Sequence, residues 1–229
     1  MKLSSLLSIL LLAAAPLTLP AQTHYEGNFF VGAKGGVSLS RVQFNPSVKQ
    51  KMPLGAVAGV TCRYIEENHF GIIAELNFDQ RGWEEDFEDN TRYSYRRTLN
   101  YLQLPVLAHI YFGSPRAHFF INAGPEIGLL LGESTSANFD PAMIEDLPDF
   151  PLKNRQVAQL SLEATGTVDF GISAGLGMEY FLDSRNSLNL EARFYYGLGN
   201  VVKCGRTEPF SSANSMSVTV TLGYAFRLK

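Results

Sequence analysis

Charged residues alternate with apolar ones inside several stretches of this chain, and they are the side chains best placed to do chemistry. They comprise five bases and six acids: Lys34, Arg63, Arg81, Arg193 and Arg227, and Glu75, Asp79, Glu126, Asp169, Glu179 and Glu191. The two signs nearly balance, and lysine occurs only once. Arginine is the usual partner of carboxylates away from water. The set therefore predicts an internal salt-bridge network, because an unpaired buried ion costs about 3–5 kcal/mol.

The four histidines are the candidates for general-base catalysis. His24 lies in the N-terminal lead, His69 in a tight turn, and His109 and His118 on the polar side of alternating stretches. None of the four lies in a long connection or on an apolar face. An enzyme built on a membrane-spanning β-barrel would need its general base at one of those places. We therefore expect no enzymatic activity, and the sequence predicts no cofactor and no metal site.

The acidic run at residues 84–89 could offer oxygen ligands to a divalent cation, but it lacks the spacing and glycine of a dedicated calcium loop. Arg92, Arg96 and Arg97 follow it in the sequence. We interpret the run as a solvated hairpin tip whose acids face arginines on the returning strand.

Eight stretches alternate apolar and polar residues with period two, which is typical of β-strands that separate two environments. They cover residues 29–39, 54–64, 70–81, 101–112, 118–131, 168–180, 188–197 and 216–228. Each is about as long as a tilted strand that crosses a bilayer, and the apolar faces carry no charge.

The connections between these stretches alternate between short and long. Short turns occupy residues 66–69, 113–116 and 183–186, and long connections occupy residues 40–53, 83–98, 132–166 and 199–214. An up-and-down transmembrane barrel has tight turns at one end and large loops at the other. The sequence therefore predicts an all-β fold, an eight-stranded antiparallel transmembrane β-barrel with both termini in the periplasm.

A secreted soluble barrel or sandwich would show the same period-two alternation with its apolar face turned inward. The balanced, arginine-rich polar face favours the membrane barrel, with the charges inside. Eight strands enclose a space that side chains fill, so we expect a plugged lumen and no conducting pore.

Aromatic residues on the apolar faces concentrate at the strand ends beside the short turns. They are Phe29, Tyr64, Phe70, Phe112, Tyr180 and Phe226. Aromatic rings are enriched at membrane interfaces, so the six predict a girdle there.

The N-terminus predicts export. Lys2 precedes an apolar run, and Ala21 offers a small residue for cleavage, so residues 1–21 form a predicted signal peptide and residues 22–229 one barrel domain. The net charge of −3 gives no reason to expect nucleic acid as a partner. Residues 157–164 alternate again, so the sixth strand is expected to project beyond the membrane.

Two local features give sharper expectations. Cys62 and Cys204 fall near opposite ends of a barrel about 25 Å tall, which predicts free thiols. Pro105 lies in mid-strand and has no N–H, so we expect a break in the pairing there. Tyr101, Gln103 or Asn122 should cover the unpaired carbonyl group.

Several motifs resemble the PorT-like outer-membrane β-barrel family of Bacteroidetes. They are Tyr101-Leu102-Gln103-Leu104-Pro105, Gly124-Pro125, Gly175-Leu176-Gly177, residues 191–198, and a closing strand similar to the signal read by the outer-membrane assembly machinery. This last match departs from the family in ending with Lys229 and in having Leu222 at a usually polar position. The resemblance implies residence in the outer membrane of a Gram-negative bacterium, in contact with outer-membrane lipid.

Two functional classes remain open on the sequence. One is a structural or interaction barrel that contacts envelope proteins through its outer loops or periplasmic rim. The other, implied by the family's founding member, is an accessory of type IX secretion. A narrow channel is a weaker third possibility.

Overall fold

The computed structural model describes residues 27–87, 92–150 and 156–228, so the predicted signal peptide lies outside the described residues. Eight long antiparallel strands form the fold. They are β1 (Asn28–Asn45), β2 (Leu54–Glu67), β3 (Phe70–Glu85), β4 (Tyr95–Ser114), β5 (Ala117–Ala137), β6 (Val168–Phe181), β7 (Asn186–Asn200) and β8 (Ser212–Arg227). A two-residue strand, Gln50–Lys51, pairs with the end of β3.

Each long strand pairs with its sequence neighbours, and β1 also pairs with β8. The β1–β8 register runs from Phe30 opposite Arg227 to Asn45 opposite Ser212, which closes the sheet into a ring. Closure leaves no unpaired sheet edge, as a strand-built membrane domain requires. The predicted eight-stranded antiparallel barrel is confirmed.

No helix in the described part of the chain is both long and apolar enough to cross a membrane. The helical elements there are two three-residue 3-10 turns, Ile144–Asp146 and Ala158–Leu160.

The three short connections lie at one end of the barrel, which we name the turn end. The β2–β3 and β4–β5 turns each contain two residues, and the β6–β7 turn contains four. His69 takes a left-handed backbone conformation, with φ 75°, inside the first of them. The long connections lie at the opposite end, the loop end, so the predicted alternation of turns and loops is confirmed.

The strands at the loop end extend further than the sequence suggested. All four predicted long connections begin or end inside strands, namely β1, β3, β4, β5, β7 and β8. The predicted projection of strand six was wrong: residues 158–160 form a 3-10 turn, and Ala164 makes only an isolated bridge to Val202. The chain in this region packs inward against the neighbouring strands, as described below.

The expected interruption at Pro105 is present. The β3–β4 register stops after Ala74 opposite Val106 and resumes at Asn77 opposite Gln103. A second gap lies one strand further on, because the β4–β5 register skips the positions where Val106 would face Pro125 and Leu107 would face Gly124. Both gaps coincide with prolines, which give the ladder no N–H.

A side chain was expected to donate a hydrogen bond to the carbonyl group left unpaired at this gap. That expectation was wrong for two of the three candidates. The amide of Gln103 donates to Asp79 Oδ2 at 3.1 Å, and that of Asn122 donates to Glu191 Oε1 at 2.9 Å. Charged acceptors hold these donors more strongly than a neutral carbonyl group would. The cysteine prediction is confirmed, since both Cys62 and Cys204 are free thiols.

Candidate functional site: the barrel interior and its two ends

The lower interior of the barrel, toward the turn end, is filled by charged side chains. Its centre is Glu75, which bonds to Lys34 at 2.6 Å and to Arg193 at 2.7 Å. Arg193 also bonds to Glu191 at 2.8 Å. The two acids and Arg193 come from β3 and β7, so the ion pairs join opposite sides of the wall through its interior.

A second cluster surrounds Arg81, higher in the barrel. Its guanidinium bonds to Asp79 at 2.7 Å and Glu126 at 2.6 Å, and lies 3.8 Å from Asp169. The Arg81 guanidinium also lies 3.8 Å from the centre of the Tyr195 ring, and the hydroxyl of this tyrosine donates to Asp169. An arginine surrounded by three acids and a ring has every face occupied, as a buried cation needs.

A third group joins Arg63 and Glu179 by two parallel hydrogen bonds of 2.8 and 2.6 Å. Ser187 adds a 2.6 Å bond to the same carboxylate. The Arg63 guanidinium lies 4.4 Å from the centre of the Phe30 ring. The structure therefore brings ten of the eleven predicted charged residues into three connected groups, which we call the ion network.

Arg227 is the exception, and its assignment to the ion network was wrong. No described residue makes a salt bridge with it. Its guanidinium lies 5.1 Å from the centre of the Phe30 ring, and it is only half-buried at the end of β8. Arg63 already occupies both carboxylate oxygens of Glu179, and Arg227 lies close enough to the opening to be hydrated.

Two small cavities lie within this interior. One of about 30 Å³ is lined by residues that include Arg63, Glu75 and His109, and one of about 10 Å³ by residues that include Asp79 and Arg81. Such spaces hold roughly one or two water molecules each. Among the described residues, no cluster of histidine, cysteine, aspartate or glutamate could hold a metal ion. The predicted salt-bridge plug agrees with this packing, and the absence of a conducting pore stays a prediction.

Above the ion network, the pattern of the wall reverses. The outward side chains become polar, as at Arg41, Gln43 and Asn100, while the inward ones become apolar. The inward residues form a buried cluster, which we call the cap core: Val42, Phe44, Trp83, Phe87, Tyr93, Tyr95, Leu99, Tyr101, Phe150, Leu160, Val201, Val202, Phe210 and Ala213. The barrel thus resembles a membrane protein at one level and a water-soluble β-protein at the next.

Aromatic rings dominate the cap core. Phe44 lies between Trp83 and Phe210, with ring centres 5.5 and 4.7 Å apart. Four other rings contact one another with centres 5.0–6.2 Å apart; they are Phe87, Tyr93, Phe139 and Phe150. Edge-to-face aromatic pairs contribute about 0.5–1.5 kcal/mol beyond the area they bury.

Hydrogen bonds attach the longest connection to this core. Tyr93 donates to the carbonyl of Pro148 at 2.6 Å, and Tyr95 donates to that of Leu160 at 3.1 Å. Gln159, which is fully buried, donates to Glu85 at 2.9 Å. The described parts of residues 138–167 therefore pack as a lid on the strands, and we call the strand extensions and this lid the cap.

The expected solvated hairpin was wrong for Glu85, which is buried, whereas Glu84 and Asp86 are half-buried. Glu84 lies opposite Arg96 in the β3–β4 register, and Lys51 lies 3.4 Å from Asp86. Arg97 instead turns inward and bonds to Glu133 at 2.7 Å. Glu88 and Asp89 lie outside the described residues.

The outer wall of the lower barrel is apolar. Side chains such as Val60, Ile127 and Leu176 are 55–68% exposed there, which few soluble proteins would allow over a whole surface. Phe29, Tyr64, Phe70, Phe112, Tyr180 and Phe226 all lie on this outer face near the turn end, four of them exposed and Phe29 and Phe226 half-buried. That these rings form a girdle at the membrane interface stays a prediction.

A closed antiparallel ring with an apolar outer wall and a charged interior defines a small transmembrane β-barrel. A family described as the outer membrane protein beta-barrel domain matches residues 20–203, and the chain belongs to that family. It is therefore an outer-membrane β-barrel protein. No curated protein matches the chain.

The chain is similar to several solved structures, of which OprG supports the fold. OprG from Pseudomonas aeruginosa aligns with 90% of this chain and 97% of its own, with 11% identity and a TM-score of 0.52. Neisserial surface protein A aligns with 87% of this chain and 98% of its own, with 10% identity and a TM-score of 0.43. Ail of Yersinia pestis aligns with 86% and 99%, with 12% identity and a TM-score of 0.41.

The ion network was largely visible in the sequence, but the cap core was not. Residues 41–45 and 95–100 do alternate with period two, yet their apolar side chains lie on the opposite face from those of the membrane strands. A search for period-two stretches whose apolar residues change from one face of the strand to the other would have found the strand extensions.

Proposed function

We propose that this protein is a closed, non-enzymatic outer-membrane barrel whose interior is structural and whose rigid ends contact other components of the envelope. Its direct partners would be outer-membrane lipid, the assembly machinery during biogenesis, and envelope or secretion proteins. The observation that carries the proposal is that fixed side chains fill the barrel at both levels. The ion network fills the lower interior, and the cap core fills the interior above it.

The proposed orientation is supported by the lengths of the connections. Outer-membrane barrels have short turns on the periplasmic side and longer loops outside. Here the short turns lie at the end where β1 starts and β8 finishes, so the termini would be periplasmic and the cap extracellular. An epitope tag inserted after Arg206, in the exposed β7–β8 loop, should be accessible on intact cells. A tag inserted after Arg116 should become accessible only after the outer membrane is opened, and the reverse result would overturn this orientation.

A folded cap is suited to recognition because its loops need little ordering when a partner binds. Cross-linking on intact cells, from a photoreactive residue placed at exposed Met143, should recover a defined set of surface partners. The matched control carries the photoreactive residue at lipid-facing Leu176. Identical products from the two sites would contradict an interaction role for the cap.

A narrow channel is the competing function, and the ion network argues against it. Purified protein in planar bilayers should show no stepwise conductance, since buried ion pairs such as Arg193–Glu75 and Arg81–Glu126 cross the interior. Regular single-channel steps that change size in an Arg81→Gln variant would refute the closed interior.

A role in type IX secretion remains a prediction from the family resemblance. Deleting the gene and measuring the secretion of type IX cargo tests it directly. Normal secretion would remove this role, and cargo retained in the periplasm, restored by a plasmid copy, would support it.

A further inference from the structure

An open cleft of about 530 Å³ lies at the turn end, between the β4–β5 turn, the β6–β7 turn and the end of β8. Its walls include Pro115 and Arg116 from the first turn, Phe181 from the end of β6, Leu182 from the second turn, and Arg227 from β8. Its volume falls within the range of ligand sites in proteins.

Backbone hydrogen bonds fix the elements that frame the cleft. The N–H of Phe181 donates to the carbonyl of Arg116 at 2.9 Å, which joins the end of β6 to the first turn. The N–H of Arg227 donates to the carbonyl of Arg185 at 2.7 Å, which joins β8 to the second turn. The cleft is therefore shaped before any ligand arrives.

The acid in the cleft wall is already engaged. Asp183 accepts the backbone N–H groups of Arg185 and Asn186 at 2.7 and 2.8 Å, and the side-chain amide of Asn186 at 2.7 Å. The Arg185 bond, followed by those from Asn186, holds the pKa of the Asp183 carboxyl below its ordinary value. This charge is thus directed into its own turn.

The cations in the wall, by contrast, have no counter-ion. Among the residues that the structure describes, neither Arg116 nor Arg227 makes a salt bridge, and the buried Nε of Arg227 has no hydrogen-bond partner. The deeper arginines of the ion network, Arg63, Arg81 and Arg193, are all paired with carboxylates. The cleft is therefore a positively charged opening beside a neutralised interior.

The cleft opens along the barrel axis and not toward lipid. Phe181 and Arg227 continue the inward-facing series of Glu179 and Ala225, which are buried. A ligand would therefore enter from the aqueous space at the turn end.

We propose that this cleft binds an acidic peptide segment of a periplasmic partner protein. Carboxylates of the segment would bond to Arg116 and Arg227, since guanidinium groups bind carboxylates through two parallel hydrogen bonds. Apolar side chains of the segment would pack on Pro115, Phe181 and Leu182, the last of which is 55% exposed. The inference rests on the proposed periplasmic orientation and gives the interaction role a specific site.

Fluorescence anisotropy of the full-length barrel in detergent micelles tests the cleft with a labelled decapeptide of alternating glutamate and leucine. Binding should weaken at least tenfold in an Arg116→Gln/Arg227→Gln variant. The matched control is Lys203→Gln/Arg206→Gln, which removes two exposed cations at the loop end and should change affinity less than twofold. A decapeptide of glutamine and leucine should bind at least tenfold more weakly than the acidic one.

A single Arg116→Gln variant covers the case in which the double variant fails to fold, because Arg116 is an exposed turn residue. It should weaken binding at least threefold. Equal binding of the two peptides, unchanged affinity in the folded arginine variants, or binding only to phosphatidylglycerol vesicles would each overturn the proposal. These results do not depend on conductance or on accessibility in cells, so they are distinguishable from a failure of the proposed function.

Discussion

Replacing Arg63 by methionine should destabilise the barrel by about 3–5 kcal/mol, because it removes one half of a buried ion pair and leaves the other half charged. The Arg63 and Glu179 side chains are only 7% and 1% exposed, so water cannot replace the lost guanidinium. Ser187 would remain as a neutral donor to the carboxylate. The stabilisation of about 0–1 kcal/mol that is typical of salt bridges on the surface therefore does not apply to the Arg63–Glu179 pair.

The double variant Arg63→Met/Glu179→Leu separates two free energies. One is the cost of leaving a buried charge unpaired, and the other is the net contribution of the ion pair to stability. Removing both charges should cost only about 0–2 kcal/mol, so the two substitutions should couple by at least about 2 kcal/mol. Glu179→Gln alone should resemble Arg63→Met, since it leaves the guanidinium unpaired. Arg206→Met, at an exposed loop position, is the control and should stay within about 0.5 kcal/mol of the wild type.

Equilibrium unfolding by guanidinium chloride in lipid vesicles, followed by circular dichroism of the strands, measures these free energies. The mobility of unheated protein on gels checks that each variant has closed its barrel. The reasoning is refuted if Arg63→Met costs less than about 1 kcal/mol, or if the double variant costs the sum of the two single ones.

Three further expectations concern other parts of the molecule. Phe210→Ala should destabilise the cap by about 3–5 kcal/mol and leave the barrel intact. It should also red-shift the fluorescence emission of Trp83, the single tryptophan. Unchanged emission would contradict a packed cap core. Pro105→Val should supply the missing N–H, and hydrogen exchange should find it protected; an amide exchanging at a loop rate would mean that the proline does not cause the gap. Burial raises the pKa of the Cys204 thiol, so its thiolate forms at higher pH than that of a free cysteine. A polar maleimide should therefore label it faster as pH rises and leave lipid-facing Cys62 unlabelled in vesicles, and an intrachain disulfide would contradict this.

The sequence by itself determined the barrel, because its features are local. A strand that separates lipid from a polar interior must alternate with period two, and residues 118–131 show this without any knowledge of their neighbours. The proline gap was equally local, since no fold can restore an N–H to Pro105. Most of the buried charges of the lower barrel were also readable, because ions on one face of an apolar strand have only the lumen to occupy.

The tertiary structure alone decided which charges pair and where the membrane pattern ends. Arg227 and Arg63 look alike in sequence, but only one lies deep enough in the closed ring to need a carboxylate. The cap core depends on contacts between residues as distant as Phe44 and Phe210, so no single stretch reveals it. Above the apolar band the outer wall faces water, so the hydrophobic effect places the apolar side chains of the same period-two strands on the inner face. This reversal becomes visible only when the barrel closes.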